Sequence, residues 1–156
     1  MKRPPGLDRP HARFIVLWMG RIHTWMHRVS GGRLGGTFQG VDVLLLTTAG
    51  RRSGLERTNP VLYLEDGARL VIVASKAGMD HHPAWFHNLV AHPEVSVQTG
   101  GQSQSMRTRV ADAAERAELW PRLNALYANY DTYQGWTDRE LPVVILDAWE
   151  EGGRAQ

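Results

Sequence analysis

Leu46-Thr47-Thr48-Ala49-Gly50-Arg51-Arg52-Ser53-Gly54-Leu55-Glu56-Arg57-Thr58-Asn59-Pro60 sets three arginines and two glycines between two apolar runs rich in Leu, Val and Thr. Apolar and branched residues of this kind suit a pleated, half-buried surface, while Gly50 and Gly54 allow a tight reversal. The stretch reads as strand, turn, strand. Guanidinium groups bind phosphate and carboxylate through paired N–H donors, and backbone N–H groups exposed in a turn add more. A cationic turn fixed between strands is a good place to hold an anion. A solvated turn with scattered charge is the plainer alternative.

Outward from this turn, residues 41–48, 59–64, 69–74, 95–99, 106–110 and 143–146 are short, rich in Val, Leu, Ile and Thr, and bounded by turn residues. Asp66-Gly67 marks a hairpin between the second and third of these runs. The early connections are too short for crossover helices, so antiparallel pairing is expected. Before the last run, Asp112 followed by Glu115 has the capping-box pattern, and residues 113–127 are good helix formers. Pro121 is expected to kink or restart that helix. Pro83, Trp85, Asn88 and Leu89 open a shorter one. The expected architecture is α+β, a small mixed barrel of about six mostly antiparallel strands with helices packed outside it.

At roughly 100° per residue, Phe14, Ile15, Trp18, Met19, Ile22, Trp25, Met26 and Val29 share one side of a helix over residues 11–29, with Arg21, His23, Thr24, His27 and Arg28 opposite. Charges interrupt it, so it is not a transmembrane run of about 18 apolar residues, and no small-residue cleavage site follows it. It either covers the core or lies on a membrane, with Trp18 and Trp25 at headgroup level and its arginines toward anionic lipid. Gly31-Gly32-Arg33-Leu34-Gly35-Gly36 serves as a joint, its spacing matching neither a P-loop nor a dinucleotide fingerprint. The expected organisation is arm, helix and joint over 1–36, a barrel domain over 37–150, and a tail over 151–156.

With 156 residues and 42% hydrophobic content, the chain can bury a core as one domain without staples. Cysteine is absent, which excludes disulfides, thiolate metal sites and thiol redox chemistry and fits a reducing cytoplasm. The net charge of +2 is smaller than the basic stripe of a nucleic-acid binder requires, so no nucleic-acid partner is expected. Six tryptophans are more informative, since large aromatics line cofactor pockets and membrane interfaces as well as cores.

Three further groups invite a chemical reading. Ala74-Ser75-Lys76-Ala77-Gly78 leaves the third strand with small residues that would let a flat ring approach the backbone, and Ser75 offers a hydroxyl. A plain strand exit is the alternative, and Ser75 lacks the glycine-flanked elbow of a hydrolase nucleophile. Asp80-His81-His82, with His87 and His92, has loose spacing and no second carboxylate nearby, so no metal is expected. Tyr127, Tyr130 and Tyr133 recur every third residue among Asn129, Asp131, Thr132 and Gln134. Core packing is the usual fate of such a stripe, but its polar neighbours point to a half-exposed pocket lid.

Together these motifs resemble the deazaflavin-dependent nitroreductase and quinone reductase family. The resemblance rests on Thr47 to Gly54 with Arg57 and Pro60, on Ala74 to Gly78, on Pro83-Ala84-Trp85 with Asn88-Leu89, and on Trp136-Thr137-Asp138-Arg139. Trp25-Met26 and Gly35-Gly36-Thr37-Phe38 extend it toward the front. Members resemble the split-barrel flavin-binding proteins and use the reduced deazaflavin coenzyme F-420 to reduce quinones and, incidentally, nitroaromatic compounds.

The resemblance implies that Arg51, Arg52, Ser53 and Arg57 hold the coenzyme's phosphate and acidic tail. Asn59, Pro60 and Val61 would line its path, Val73, Ala74, Ser75 and Lys76 would meet its ring, and Trp85, Asn88 and Tyr130 would complete the cradle. Tyr127, Tyr130 and Tyr133 match tyrosines on the substrate side of the nitroreductase branch. Tyr130, Tyr133 and Ser75 are the expected catalytic hydroxyls, donating a proton after hydride transfer to a menaquinone-like or nitroaromatic acceptor. Peripheral membrane contact through residues 11–29 would place a cytoplasmic enzyme at the inner face of the cell membrane. Two other classes compete: a non-catalytic flavin- or haem-type binding module on the same barrel, and an RNA- or membrane-binding protein using the arginine turn.

Overall fold

Val41 to Ala49 forms the hub of the sheet, and its pairings explain how the barrel closes. The computed structural model describes residues 37–38 and 40–149, so the expected arm, amphipathic helix, glycine joint and tail lie outside the described residues. The strands are β1 (Thr37–Phe38), β2 (Val41–Ala49), β3 (Glu56–Leu62), β4 (Leu64–Asp66), β5 (Arg69–Val73), β6 (Glu94–Thr99), β7 (Gln102–Val110) and β8 (Val143–Ala148). Among the described residues three α-helices accompany them: α1 (Ala84–Ala91), α2 (Ala113–Leu126) and α3 (Asn129–Gly135). Among the described residues no helix is long and apolar enough to cross a membrane.

Every strand pair is antiparallel. β2 pairs with β3 on one side and with β6 on the other, and the ladder continues through β7, β8 and β5 to β4. β3 and β4 are successive pieces of one chain segment, interrupted at Tyr63, which hydrogen-bonds back to Asp42 O at 3.3 Å. The segment lies on β2 along its first part and on β5 along its last, so the ring of strands closes through it. Counted this way the barrel has the six members expected, with β3–β4 the split one. The run expected over 59–64 starts earlier, at Glu56, and breaks where it changes partner.

Strand alternation sorts the core into two clusters, because successive side chains point to opposite faces. Ile72 of β5 and Val144 and Leu146 of β8 join Leu44, Leu46, Val61, Val97 and Met106 in the barrel core, with Phe86 and Leu89 of α1. Their neighbours Val71, Val73, Val143 and Ile145 face outward against Leu119, Leu123, Tyr127 and Tyr130 of the helical layer. β5 and β8 are buried on both faces, which is why they read as continuous apolar runs.

The Asp66-Gly67 hairpin pairs Asp66 with Arg69, with Gly67 at φ 62. The capping box at α2 is formed: the Asp112 carboxylate accepts the Glu115 N–H at 2.8 Å, and the Glu115 carboxylate accepts the Asp112 N–H at 3.2 Å. Pro121 does not restart the helix as expected; α2 runs through it as one element.

Candidate functional site

Gly50 N–H donates to Leu55 O and Gly54 N–H to Gly50 O, both at 2.8 Å, closing the turn between β2 and β3. Gly54 sits at φ 71, in the left-handed region, and a Cβ on Gly50 would lie 2.7 Å from the Ser53 hydroxyl. Glycine suits the left-handed φ of Gly54, and a side chain at Gly50 would displace the Ser53 hydroxyl and crowd Leu55 O at 3.2 Å. The turn projects Arg51, Arg52 and Arg57 as exposed side chains beside α1. Asn88, 7% exposed, fastens helix to turn: its carboxamide oxygen accepts the Arg51 N–H at 3.0 Å and its NH2 donates to the Thr48 hydroxyl at 3.1 Å.

A cleft of about 350 Å³ opens there, lined by Arg51, Arg52, Ser53, Arg57, Asn59, Trp85 and Asn88, with Gly50, Thr58 and Ala84. Seven residues chosen from the sequence therefore come together. Thr58 and Ala84 were not chosen, although each stands next to chosen residues in the chain; the Thr58 hydroxyl lies 2.8 Å from that of Thr47. Pro60 lies in β3 opposite Leu45. Val61 and Ala74 are buried in the barrel core and Val73 in the helical layer, so their side chains pack rather than line the cleft.

The exit of β5 has unusual backbone. Lys76 and Ala77 take φ 43 and 50, followed by Gly78 at φ 68. Left-handed conformation in a residue with a Cβ costs about 1–3 kcal/mol and persists only where surroundings hold it. Here the holder is Arg139, in the loop before β8. Its Nε donates to Met79 O at 2.7 Å, Nη1 to Ala74 O at 3.2 Å, and Nη2 to Ser75 O at 2.7 Å. Nη1 also meets His82 Nδ1 at 3.0 Å. Burial, then the Arg139 charge and the neighbouring histidines, hold His82 below its usual value, in keeping with a neutral ring that accepts this bond. Gln134 fixes the loop in turn, donating to Arg139 O at 2.7 Å and accepting the Leu141 N–H at 2.9 Å. The sequence named Arg139 within a motif but gave it no role.

The corner rests on α3: a Cβ on Gly78 would lie 2.6 Å from Tyr133 O. Tyr133 is half-buried, and its hydroxyl lies 3.1 Å from that of Tyr127. Burial first, then the bond to Tyr127, push the Tyr133 phenol well above its ordinary value. The three tyrosines do not share one helix, since Tyr127 caps α2 while Tyr130 and Tyr133 belong to α3. Tyr130 is 3% exposed, packed with Trp120 and Tyr127, with ring centroids at 6.3 and 5.1 Å. It is a core residue of the helical layer rather than part of an exposed lid. Burial first, then the charges of Arg51 and Lys76, hold His87 of α1 below its usual value.

The family model for F420H(2)-dependent quinone reductase matches residues 18–148. A Mycobacterium tuberculosis F420H(2)-dependent quinone reductase is 35% identical over 138 residues, 86% of this chain and 93% of its own. Another protein of that organism, named for the same activity, is 41% identical over 115 residues, 73% of this chain and 97% of its own. The solved structure of an F420-H2 dependent reductase superposes with a TM-score of 0.63 at 37% identity, covering 67% of this chain and 93% of that one. The chain belongs to the F420H(2)-dependent quinone reductase family, as an oxidoreductase with the reduced deazaflavin as its coenzyme.

Proposed function

We propose that this chain carries a hydride from the reduced deazaflavin coenzyme F-420 to a menaquinone-like quinone, with nitroaromatic compounds as incidental acceptors. The observation that carries this reading is the cleft at the β2–β3 turn, where three guanidinium groups, the Ser53 hydroxyl and the Trp85 ring converge. That donor set fits an acidic phosphate-bearing tail, because guanidinium forks match phosphate and carboxylate geometry. Arg51, Arg52 and Arg57 bind the tail, Asn88 orients Arg51, and Trp85 gives the chromophore an apolar wall. Ser75 and Lys76 border the ring.

When bound, the coenzyme supplies the hydride. Tyr133, a phenol protonated at neutral pH and raised further by its burial and its bond to Tyr127, donates a hydrogen bond to the acceptor oxygen, and the proton it passes on is replaced from water. Tyr127 positions that phenol. Residues 11–29 bring the enzyme to bilayer-borne acceptors; equal binding of full-length and helix-deleted protein to anionic vesicles would remove that part of the reading.

The test is direct. Mixing the protein with reduced coenzyme and a soluble quinone should raise the absorbance of the oxidised deazaflavin, and no rise above the uncatalysed rate would overturn the assignment.

A further inference from the structure

We infer that Arg139 is a positioning residue for the chromophore, acting through the left-handed corner at Lys76–Gly78. The inference rests on the proposed deazaflavin reading. It goes beyond it by assigning the shape of the ring-side wall to a residue that lies outside the cleft.

The argument begins with the backbone. Carbonyls of Ala74, Ser75 and Met79 converge on one guanidinium, within 2.7 to 3.2 Å. A planar fork can bridge three carbonyls in this way, whereas an ammonium on a flexible stem cannot hold the same fixed geometry. The bridged residues enclose the two non-glycine positions at positive φ, Lys76 and Ala77. A turn of this kind relaxes unless its ends are held. The Ser75 hydroxyl and the Lys76 ammonium leave from that turn, so its conformation decides where both groups point. Gln134 holds the Arg139 carbonyl at 2.7 Å, and its Oε1 accepts from Arg116 at 3.1 Å as well as from Leu141, which leaves the loop little freedom. The second anchor is Gly78 against the Tyr133 backbone, which ties the corner to α3.

Two probes separate this role from tail binding: the complete coenzyme, and its 8-hydroxy-5-deazaflavin chromophore without phosphate or acidic tail, each titrated by fluorescence quenching. In R139Q the chromophore should bind about tenfold more weakly, as expected for loss of several charge-assisted hydrogen bonds acting through the corner. In R57Q the chromophore should bind as in the wild type while the complete coenzyme weakens. Ala77→Gly introduced into R139Q should recover part of the lost chromophore affinity, since glycine adopts φ 50 without a Cβ penalty and needs less holding. A role in general stability alone would not be rescued there.

A folded R139Q with wild-type chromophore affinity overturns the inference. If R139Q does not fold, R139K is read instead, because it keeps the charge and loses the fork. Failure of both to fold even with A77G overturns it too, making Arg139 a stability residue. Wild-type protein that binds neither probe would overturn the proposed function itself, and this inference with it.

Discussion

The buried carboxamide of Asn88 accepts the backbone N–H of Arg51 at 3.0 Å, joining α1 to the cationic turn across 37 residues of chain. The sequence suggested that Asn88 would touch the coenzyme. It lines the cleft, and its two bonds, to the Arg51 N–H and the Thr48 hydroxyl, also brace the backbone of the turn against α1.

Asn88→Ala removes both bonds and leaves buried polar groups unpaired, so it should destabilise the fold by about 1–3 kcal/mol. Coenzyme affinity should fall with it. Urea unfolding and a coenzyme titration check both, and an unchanged unfolding midpoint would refute the brace.

Arg57 is exposed on β3, and among the described residues its guanidinium makes only a long 3.4 Å bond to Glu56 O. Arg57→Gln should therefore leave stability unchanged while raising the coenzyme KM about tenfold, the loss expected for one charge-assisted contact. The wild-type KM should also rise with salt, as screening weakens exposed charge pairs. A KM indifferent to ionic strength would argue against tail binding at this turn.

Tyr130 and Tyr133 should separate in kinetics. Tyr133→Phe removes the phenol proposed as proton donor and should lower kcat about 100-fold, the lower range for loss of a positioned general acid. Tyr130→Phe alters a hydroxyl within the helical layer and should change kcat less than about twofold, since exchange of a core phenol does not touch the reacting atoms. Equal losses in both variants would return Tyr130 to the proton path.

Glu115 provides the pH test of the fold. Hydrogen bonds from Arg109 first, then from the Asp112 N–H, lower its carboxyl from 4.5 to about 2. A depressed carboxylate gives stability that is fully present above pH 4.5 and is lost as pH falls through about 2. Glu115→Gln should flatten the dependence of the urea midpoint on pH within that window. An unchanged slope would show that the carboxylate is not held in solution.

Much of the fold was legible because it is local. The Asp66-Gly67 turn, the Asp112–Glu115 box and the apolar runs of β2, β5 and β8 all report interactions within a few residues, where turn chemistry and strand period speak directly. The break at Tyr63 was not legible, because it marks a change of partner from β2 to β5. Pro121 does not restart the helix: α2 runs through it as one element, with Leu119 and Leu123 on either side packed into the helical layer.

The site divides along the same line. The sequence by itself determined the chemistry on offer: three arginines and a serine at one turn, small residues after β5, no cysteine, and a motif set sufficient to name a family. Tertiary structure alone decided which groups meet. It turned Asn88 inward, buried Val61, Val73, Ala74 and Tyr130, and brought Arg139 to the carbonyls of a turn more than sixty residues earlier in the chain. The reason is physical: residue type sets what a side chain can bind, whereas the closing of the barrel sets which side of a strand faces solvent and which distant carbonyls a guanidinium can reach.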